Sequence, residues 1–295
     1  MSQVLIPTTQ KSIPSPLPDQ PSAASAPIAE FIQETVALTR RLFLQLWRRP
    51  STLIAGIVQP VMWLLIFGAL FQYAPQGFLG GDLAYGQFLG AGVIVFTAFG
   101  GALNAGLPVM FDREFGFLNR LLVAPLTSRF SIVMASALFI MTLSLIQTIA
   151  IMTLSTFLGS GLPSVVAIAL IVTILLLLVV GVTALSLGLA FALPGHVELI
   201  AVILVTNLPL LFASTALAPL SFMPTWLQVV VSLNPLSYAI EPIRYLYLHA
   251  DWSFTSVVFQ APWGGMSLLG CLAVLLSFCA IALTSVQPLL RRTLG

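Results

Sequence analysis

The run VVAIALIVTILLLLVVGVTALSLGLAFAL, residues 165–193, contains no charged residue and no proline. With Ser164 it forms a block of about thirty residues, and thirty helical residues extend about 45 Å. The hydrocarbon core of a bilayer is about 30 Å thick and needs about 20 apolar residues to cross. The block is therefore predicted to span a membrane as one helix that tilts or protrudes. The rest of the chain agrees. Hydrophobic residues make up 59% of it and charged residues 7%, where an ordinary soluble domain is about 25% charged. No soluble core hides that much apolar surface, so lipid is the solvent for most of the chain.

Five further blocks have the same character, at roughly 51–71, 87–111, 131–158, 198–218 and 264–287. None has a formal charge in its interior. Six spans also sort the basic residues. Lys11, Arg40, Arg41, Arg48, Arg49, Arg113, Arg120, Arg129, Arg291 and Arg292 then fall on one side, and only Arg244 on the other. The excess of positive charge on cytoplasmic loops places both termini and the loop after the second span in the cytoplasm. The predicted fold class is thus an all-α polytopic membrane protein with six transmembrane helices.

The flanks differ from the spans. Residues 1–27 hold Pro7, Pro14, Pro16, Pro18, Pro21 and Pro27 among Ser and Ala, without periodicity, and read as a disordered cytoplasmic tail. In 28–50, Ile28, Phe31, Ile32, Val36, Thr39, Leu42, Phe43 and Leu46 recur at helical spacing opposite Glu30, Gln33, Glu34, Arg41, Gln45 and Arg48. This pattern predicts an amphipathic helix at the membrane interface, or else one packed on a soluble partner. The exported stretch 219–263 is apolar but broken by Pro224, Pro235 and Pro242 into runs too short to span. Within it, 219–250 is predicted to dip into the outer leaflet and turn back, the alternative being a plain amphipathic cap. Cys271 and Cys279 sit in one apolar run and read as packing residues.

Several chemistries are excluded or unsupported. There is no GxxxxGK[ST] loop and the only lysine is Lys11, so the chain is not a self-contained P-loop ATPase. No HExxH or GxSxG occurs. The polar residues inside the spans are neutral, chiefly Gln59, Asn104, Gln147, Thr206 and Asn207. Proton- or sodium-driven carriers generally need intramembrane carboxylates or broken helices around an ion. Uphill transport here would draw its energy from another chain. Gln59, Asn104 and Asn207 are candidates either for a transport pathway or for helix packing. Pro60 and Pro209 are expected to kink the first and fifth spans. Small residues at Ala184, Gly188 and Ala192, and at Ala102 and Gly106, predict close helix contacts.

Charge concentrates in FDREFGFLNRLLVAPLTSR, residues 111–129, which holds Asp112, Arg113, Glu114, Arg120 and Arg129. Asp112 and Glu114 are expected at the start of a helix and Arg120 near its end, matching the helix dipole, with Pro125 limiting further helix. Phe111, Phe115, Leu118 and Leu122 would share one face, suited to a partner's groove or to the membrane surface.

Two segments carry a family resemblance. DREFGFLNRLLVAP at 112–125 resembles the cytoplasmic loop of type-2 ABC transporter permeases, and LNPLSYAIEPIRYL at 233–246 resembles that family's second hallmark. The similarity is greatest to the daunorubicin-resistance group and to permeases of cyanobacteria and red-algal plastids. It covers about 28–293, with 51–293 as the transmembrane domain and 28–50 as the connecting helix. The resemblance implies the permease subunit of an ATP-driven exporter that moves an amphipathic drug, lipid or glycan out of the cytoplasm, and no enzyme. Two separate ATPase subunits, which hold ATP and Mg, would join two permeases, identical or homologous, in a lipid membrane; nucleic acid is no partner. The cytoplasmic coupling segment would be 112–130, with Asp112, Arg113, Glu114, Phe115, Gly116, Leu118, Arg120, Leu122 and Pro125 as its contacts. The outer gate would use Asn234, Pro235, Tyr238, Glu241 and Arg244. The membrane implied is the cell's inner membrane ahead of a plastid or thylakoid one. An ion-coupled or facilitative carrier, or a membrane assembly factor without transport, are the competing functions.

Overall fold

The computed structural model describes residues 27–48, 50–70, 85–116, 130–157, 163–249 and 251–294. The tail at 1–26 and the distal coupling residues Leu118, Arg120, Leu122 and Pro125 lie outside these. The architecture is a helical bundle with one small hairpin. In chain order the helices are α1 (Pro27–Arg48), α2 (Pro50–Leu70), α3 (Tyr85–Leu103), α4 (Gly106–Glu114) and α5 (Phe130–Phe157). Then follow α6 (Val165–Ala192), α7 (His196–Phe212), a 3-10 turn at Leu220–Phe222, α8 (Thr225–Leu233) and α9 (Pro235–Leu248). Strands β1 (Val257–Ala261) and β2 (Gly264–Ser267) precede the last helix, α10 (Leu268–Leu294).

Among the described residues, four helical stretches are long and apolar enough to cross a membrane: Phe88–Glu114, Met134–Leu154, Val165–Ala192 and Leu268–Leu289. Ile54–Leu70 and His196–Phe212 are shorter apolar helices. The chain is a multi-pass membrane protein.

Helix α3 is the centre of the bundle, with α2, α5, α6 and α9 packed around it. Phe88, Leu89, Val93, Ile94, Val95, Ala98, Phe99 and Ala102 are all buried. In lipid such packing comes from van der Waals contact and close backbone approach, because lipid tails are as apolar as the side chains. The α6–α10 seam shows this. A Cβ on Gly181 would fall 2.7 Å from a Phe278 ring carbon, and one on Gly188 would fall 2.8 Å from Val286 Cγ2. Part of the small-residue face read from Ala184, Gly188 and Ala192 therefore serves contact within the chain. Helix α1 lies along α5, with Phe43 edge-on to Phe139 at 5.2 Å. Its other side exposes Ile28, Ile32, Val36, Leu44 and Trp47, an apolar stripe suited to the interface.

The structure corrects three details of the sequence reading. The second span, expected as one helix over 87–111, is broken at Asn104–Ala105 and resumes to Glu114. Asn104 Nδ2 donates to the carbonyl of Gly100 (2.7 Å), and Ala105 N bonds back only three residues, to Ala102 O. Ser186 of α6 seals the break: its hydroxyl donates to Leu103 O (2.6 Å) and accepts from Gly106 N (2.9 Å). Second, the fifth span ends at Phe212 rather than 218. Ser214 Oγ donates to Leu211 O, and Asn234 Nδ2 donates to the carbonyls of Leu210 and Ala213, which turns the chain out of the helix. Third, 257–267 forms an antiparallel hairpin around Pro262–Trp263, so the last helix starts at Leu268 and not 264. Both prolines expected to kink spans, Pro60 and Pro209, lie inside continuous helices.

Candidate functional site

The charged rim at the end of α4 is spent on other helices. Asp112 accepts both guanidinium nitrogens of Arg41, each at 2.9 Å, which ties α1 to α4. Such a paired fork fixes direction as well as distance. Arg113 donates to the carbonyls of Ala190 (2.8 Å), Phe191 (3.3 Å), Leu193 (2.5 Å) and Pro194 (2.8 Å). These are the last carbonyls of α6 and the turn after it, where a cation is favoured by unsatisfied C=O groups and the helix dipole. Glu114 accepts from the backbone N–H of His196 (2.7 Å) and pairs with its Nδ1 (2.5 Å). It therefore caps the start of α7.

Asp112 and Glu114 thus lie at the end of their own helix, not at the start of one as the sequence led us to expect. The dipole logic holds for a neighbour: Glu114 faces the N-terminus of α7 and Arg113 the C-terminus of α6. Helix α4 stops at Phe115–Gly116, where Gly116 has φ +74°, a conformation that suits glycine. Phe115 is left 78% exposed at this corner. Its ring stacks on Phe111 at 6.1 Å, and Phe111 in turn leans on His196 at 5.3 Å.

The residues read from the sequence as an outer gate also converge. Arg244 is buried and reaches three parts of the chain. It donates to Glu241 Oε1 (2.5 Å), to Phe88 O (3.2 Å) and to Thr215 O (2.6 Å), with its guanidinium 3.6 Å from the centre of the Phe88 ring. It therefore fastens α9 to the start of α3 and to the turn after α7. Asn234 does a second fastening: its Oδ1 caps α9 by accepting from Leu236 N (3.0 Å), while its amide holds the α7 carbonyls. Pro235 follows at the first helical position, where its missing N–H costs nothing. Tyr238 donates to Ser232 O (2.8 Å) and meets Phe259 of β1 edge-on at 5.3 Å.

The three neutral residues Gln59, Asn104 and Asn207, distant in sequence, line one cleft of about 160 Å³ between α2, α3, α5 and α7. Gln147 also lines it and donates to Gly56 O (3.2 Å). A Cβ at Gly56 would lie 2.5 Å from that amide nitrogen, so the glycine admits the contact.

Sequence reasoning named most of these residues but missed Arg41, Ser186 and His196 as partners. Nothing local marks Ser186.

Comparison with known proteins follows this geometry. The ABC-2 type transporter family matches residues 33–248, from within α1 through α9. The chain belongs to the ABC-2 type transporter family. The transport permease ycf38 of Porphyra purpurea is 56% identical over 266 residues, which is 90% of this chain and 91% of the relative. The ycf38 permease of Cyanophora paradoxa is 51% identical over 273 residues, 92% and 94% of the two chains. More distant is the doxorubicin resistance ABC transporter permease protein DrrC of Mycobacterium tuberculosis, 28% identical over 259 residues, 81% and 86%. The protein is an ABC-2 permease subunit that lacks an ATPase domain, and ABC permeases pair with ATPase subunits.

Proposed function

We propose that this ABC-2 permease is the membrane half of an ATP-driven exporter that moves an amphipathic molecule out of the cytoplasm. Two copies, or one copy and a homologue, assemble with two ATPase subunits that hold ATP and Mg. The chain crosses the cell's inner membrane six times with both termini inside, α1 lies in the interface, and 219–250 is the re-entrant outer gate. An amphipathic cargo is supported by the distant relative named for doxorubicin resistance, and drug, lipid and glycan classes all remain in this reading.

The observation that carries the coupling role is the corner of α4. Exposed Phe115 projects from a rim whose three charges are bound to Arg41 within α1 and to the facing ends of α6 and α7. A push on that corner is delivered to three helices at once, which is what coupling to a motor requires. The segment 112–130 is accordingly the ATPase contact, with Phe115 as the anchor.

Copurification of the full-length chain tests this. A Walker-motif ATPase must come down with the wild type in a complex containing two permeases. Phe115→Ala should weaken that association or leave ATP hydrolysis uncoupled from transport at normal membrane levels. A chain that transports in liposomes without ATP or any partner sinks the proposal.

A further inference from the structure

Helix α1 carries positive charge that the rest of the described chain leaves unanswered. Arg40 and Arg48 are exposed and have no acidic partner among the described residues. The helix register explains this. A carboxylate reaches an arginine on its own helix from three or four positions away. Those positions hold Val36, Ala37, Phe43 and Leu44 for Arg40, and Leu44 and Gln45 on the N-terminal side of Arg48. The carboxylates at the end of α4 are engaged elsewhere, Asp112 on Arg41 and Glu114 on His196. The sequence adds Arg49 beside Arg48, and residues 117–129 bring Arg120 and Arg129 but no acid. Arg40, Arg41 and Arg48 border a hollow of about 400 Å³ that is also lined by Ala37, Leu44 and Gln45. Leu44 is one turn from each of Arg40 and Arg48, so two long side chains can converge above it. Trp47 stands on the same side and is 87% exposed, far more than a packed tryptophan shows.

We propose that this face of α1 binds the headgroup of an anionic phospholipid and that the bound lipid sets the position of the α4 corner. A neutral membrane surface would hold the stripe of Ile28, Ile32, Val36 and Trp47 equally well, but it would give Arg40 and Arg48 no counter-ion. A guanidinium takes phosphate oxygens as a two-bonded fork, which fits a phosphodiester at the edge of an apolar stripe. The phosphate of a zwitterionic lipid already has its own ammonium as neighbour. A soluble anion has no acyl chain for the stripe to contact, so the combination selects a lipid. Arg41 supplies the link to the motor contact. Its fork to Asp112 ties α1 to α4, so a lipid that fixes α1 also fixes the corner bearing Phe115. The lipid preference rests on the interfacial placement of α1 proposed above, and its effect on ATP hydrolysis rests on the exporter reading.

The test uses the full-length chain in phosphatidylcholine nanodiscs. The probe is a phosphatidylglycerol with a photoactivatable acyl chain, and a phosphatidylcholine with the same chain is the reference. Peptides of α1 should take the phosphatidylglycerol probe in preference, and unlabelled phosphatidylglycerol should displace it. Arg40→Gln and Arg48→Gln should each lower that preference about fivefold, and the double variant should label equally with both probes. Both side chains are exposed, so these variants keep the fold. Arg40→Lys should fall between wild type and Arg40→Gln, because it keeps the charge and loses the fork. Gln33→Ala, on the same exposed face, should label as wild type. Equal labelling of the wild type by both probes overturns the proposal, as does an undiminished preference in the double variant. Displacement by inorganic phosphate at the same concentration as the lipid competitor also overturns it, since the site would then take any anion. An environment-sensitive dye on Ile32→Cys reports the placement of α1, the native Cys271 and Cys279 being buried. A dye in water rejects the interfacial placement, whereas a dye in lipid with equal labelling rejects the lipid preference alone. In the complex with its ATPase, adding phosphatidylglycerol should raise transport-coupled hydrolysis in the wild type and not in the double variant. A lipid preference without that difference rejects the link to the α4 corner only. Failure of any ATPase to copurify, with the preference intact, rejects the exporter reading only.

Discussion

Replacing Arg244 by methionine removes a buried guanidinium while keeping an unbranched apolar stem. Three acceptors then lose their donor: the Glu241 carboxylate and the carbonyls of Phe88 and Thr215. The Phe88 ring loses its cation as well. Breaking a buried ion pair by removing one partner costs about 3–5 kcal/mol, because the other charge is left without compensation. The Glu241 side chain keeps 17% exposure, so water relieves part of this and the lower end, about 3 kcal/mol, is the expected loss. For a chain of this size, 1 kcal/mol moves the melting temperature by about 2–4 °C, so the midpoint should fall by roughly 6–12 °C. Tryptophan fluorescence of the purified chain in detergent during a thermal ramp measures it. Adding Glu241→Leu to Arg244→Met should restore at least half of the loss, because neither charge then remains buried alone. Arg244→Lys should fall between wild type and Arg244→Met, since a single ammonium cannot reach acceptors on three sides. A midpoint for Arg244→Met within about 2 °C of wild type would refute the role of this residue as the outer fastening.

Gly106→Val should lose most of its folded yield on size-exclusion chromatography, since a Cβ there would lie 2.4 Å from Ser186 O, whereas Gly101→Ala should elute as wild type. Ser186→Ala leaves Leu103 O and Gly106 N unpaired inside the bundle, and should destabilise it by about 1–3 kcal/mol per group, read as a drop in the thermal midpoint. Arg113→Gln should loosen the end of α6, and hydrogen exchange at residues 190–193 is expected to rise while exchange in α10 stays unchanged. For topology, a cysteine at Thr255 should react with an impermeant thiol reagent from outside intact cells, and one at Glu198 should react only after permeabilisation.

Helices α2, α5 and α6 were readable because each is a long apolar run in the sequence. The break in the second span was not readable, because Ser186, 83 residues away from Leu103, supplies the hydrogen bonds on both sides of it. A local pattern does not report on a hydroxyl supplied by another helix. The charged rim was half legible. Its composition marked a special place, but the dipoles that its charges answer belong to α6 and α7. The outer pair Glu241–Arg244 was legible from i, i+3 spacing, while its carbonyl partners were hidden in the backbone of distant segments. The hairpin had its own signal, Val257 and Phe259 alternating ahead of Pro262–Trp263–Gly264, in a stretch otherwise read as loop.

The arrangement around Arg244 also bears on how the chain is made. It is the one basic residue that the proposed six-span topology sends across the bilayer, and positive charge resists that passage. Once α9 coils, its counter-ion is three residues away, so the segment travels as a locally neutral unit. The other two acceptors, Phe88 and Thr215, precede Arg244 by 156 and 29 residues, and so leave the ribosome before it. The arginine arrives last at a socket already synthesised, and the order of translation matches the order of closure.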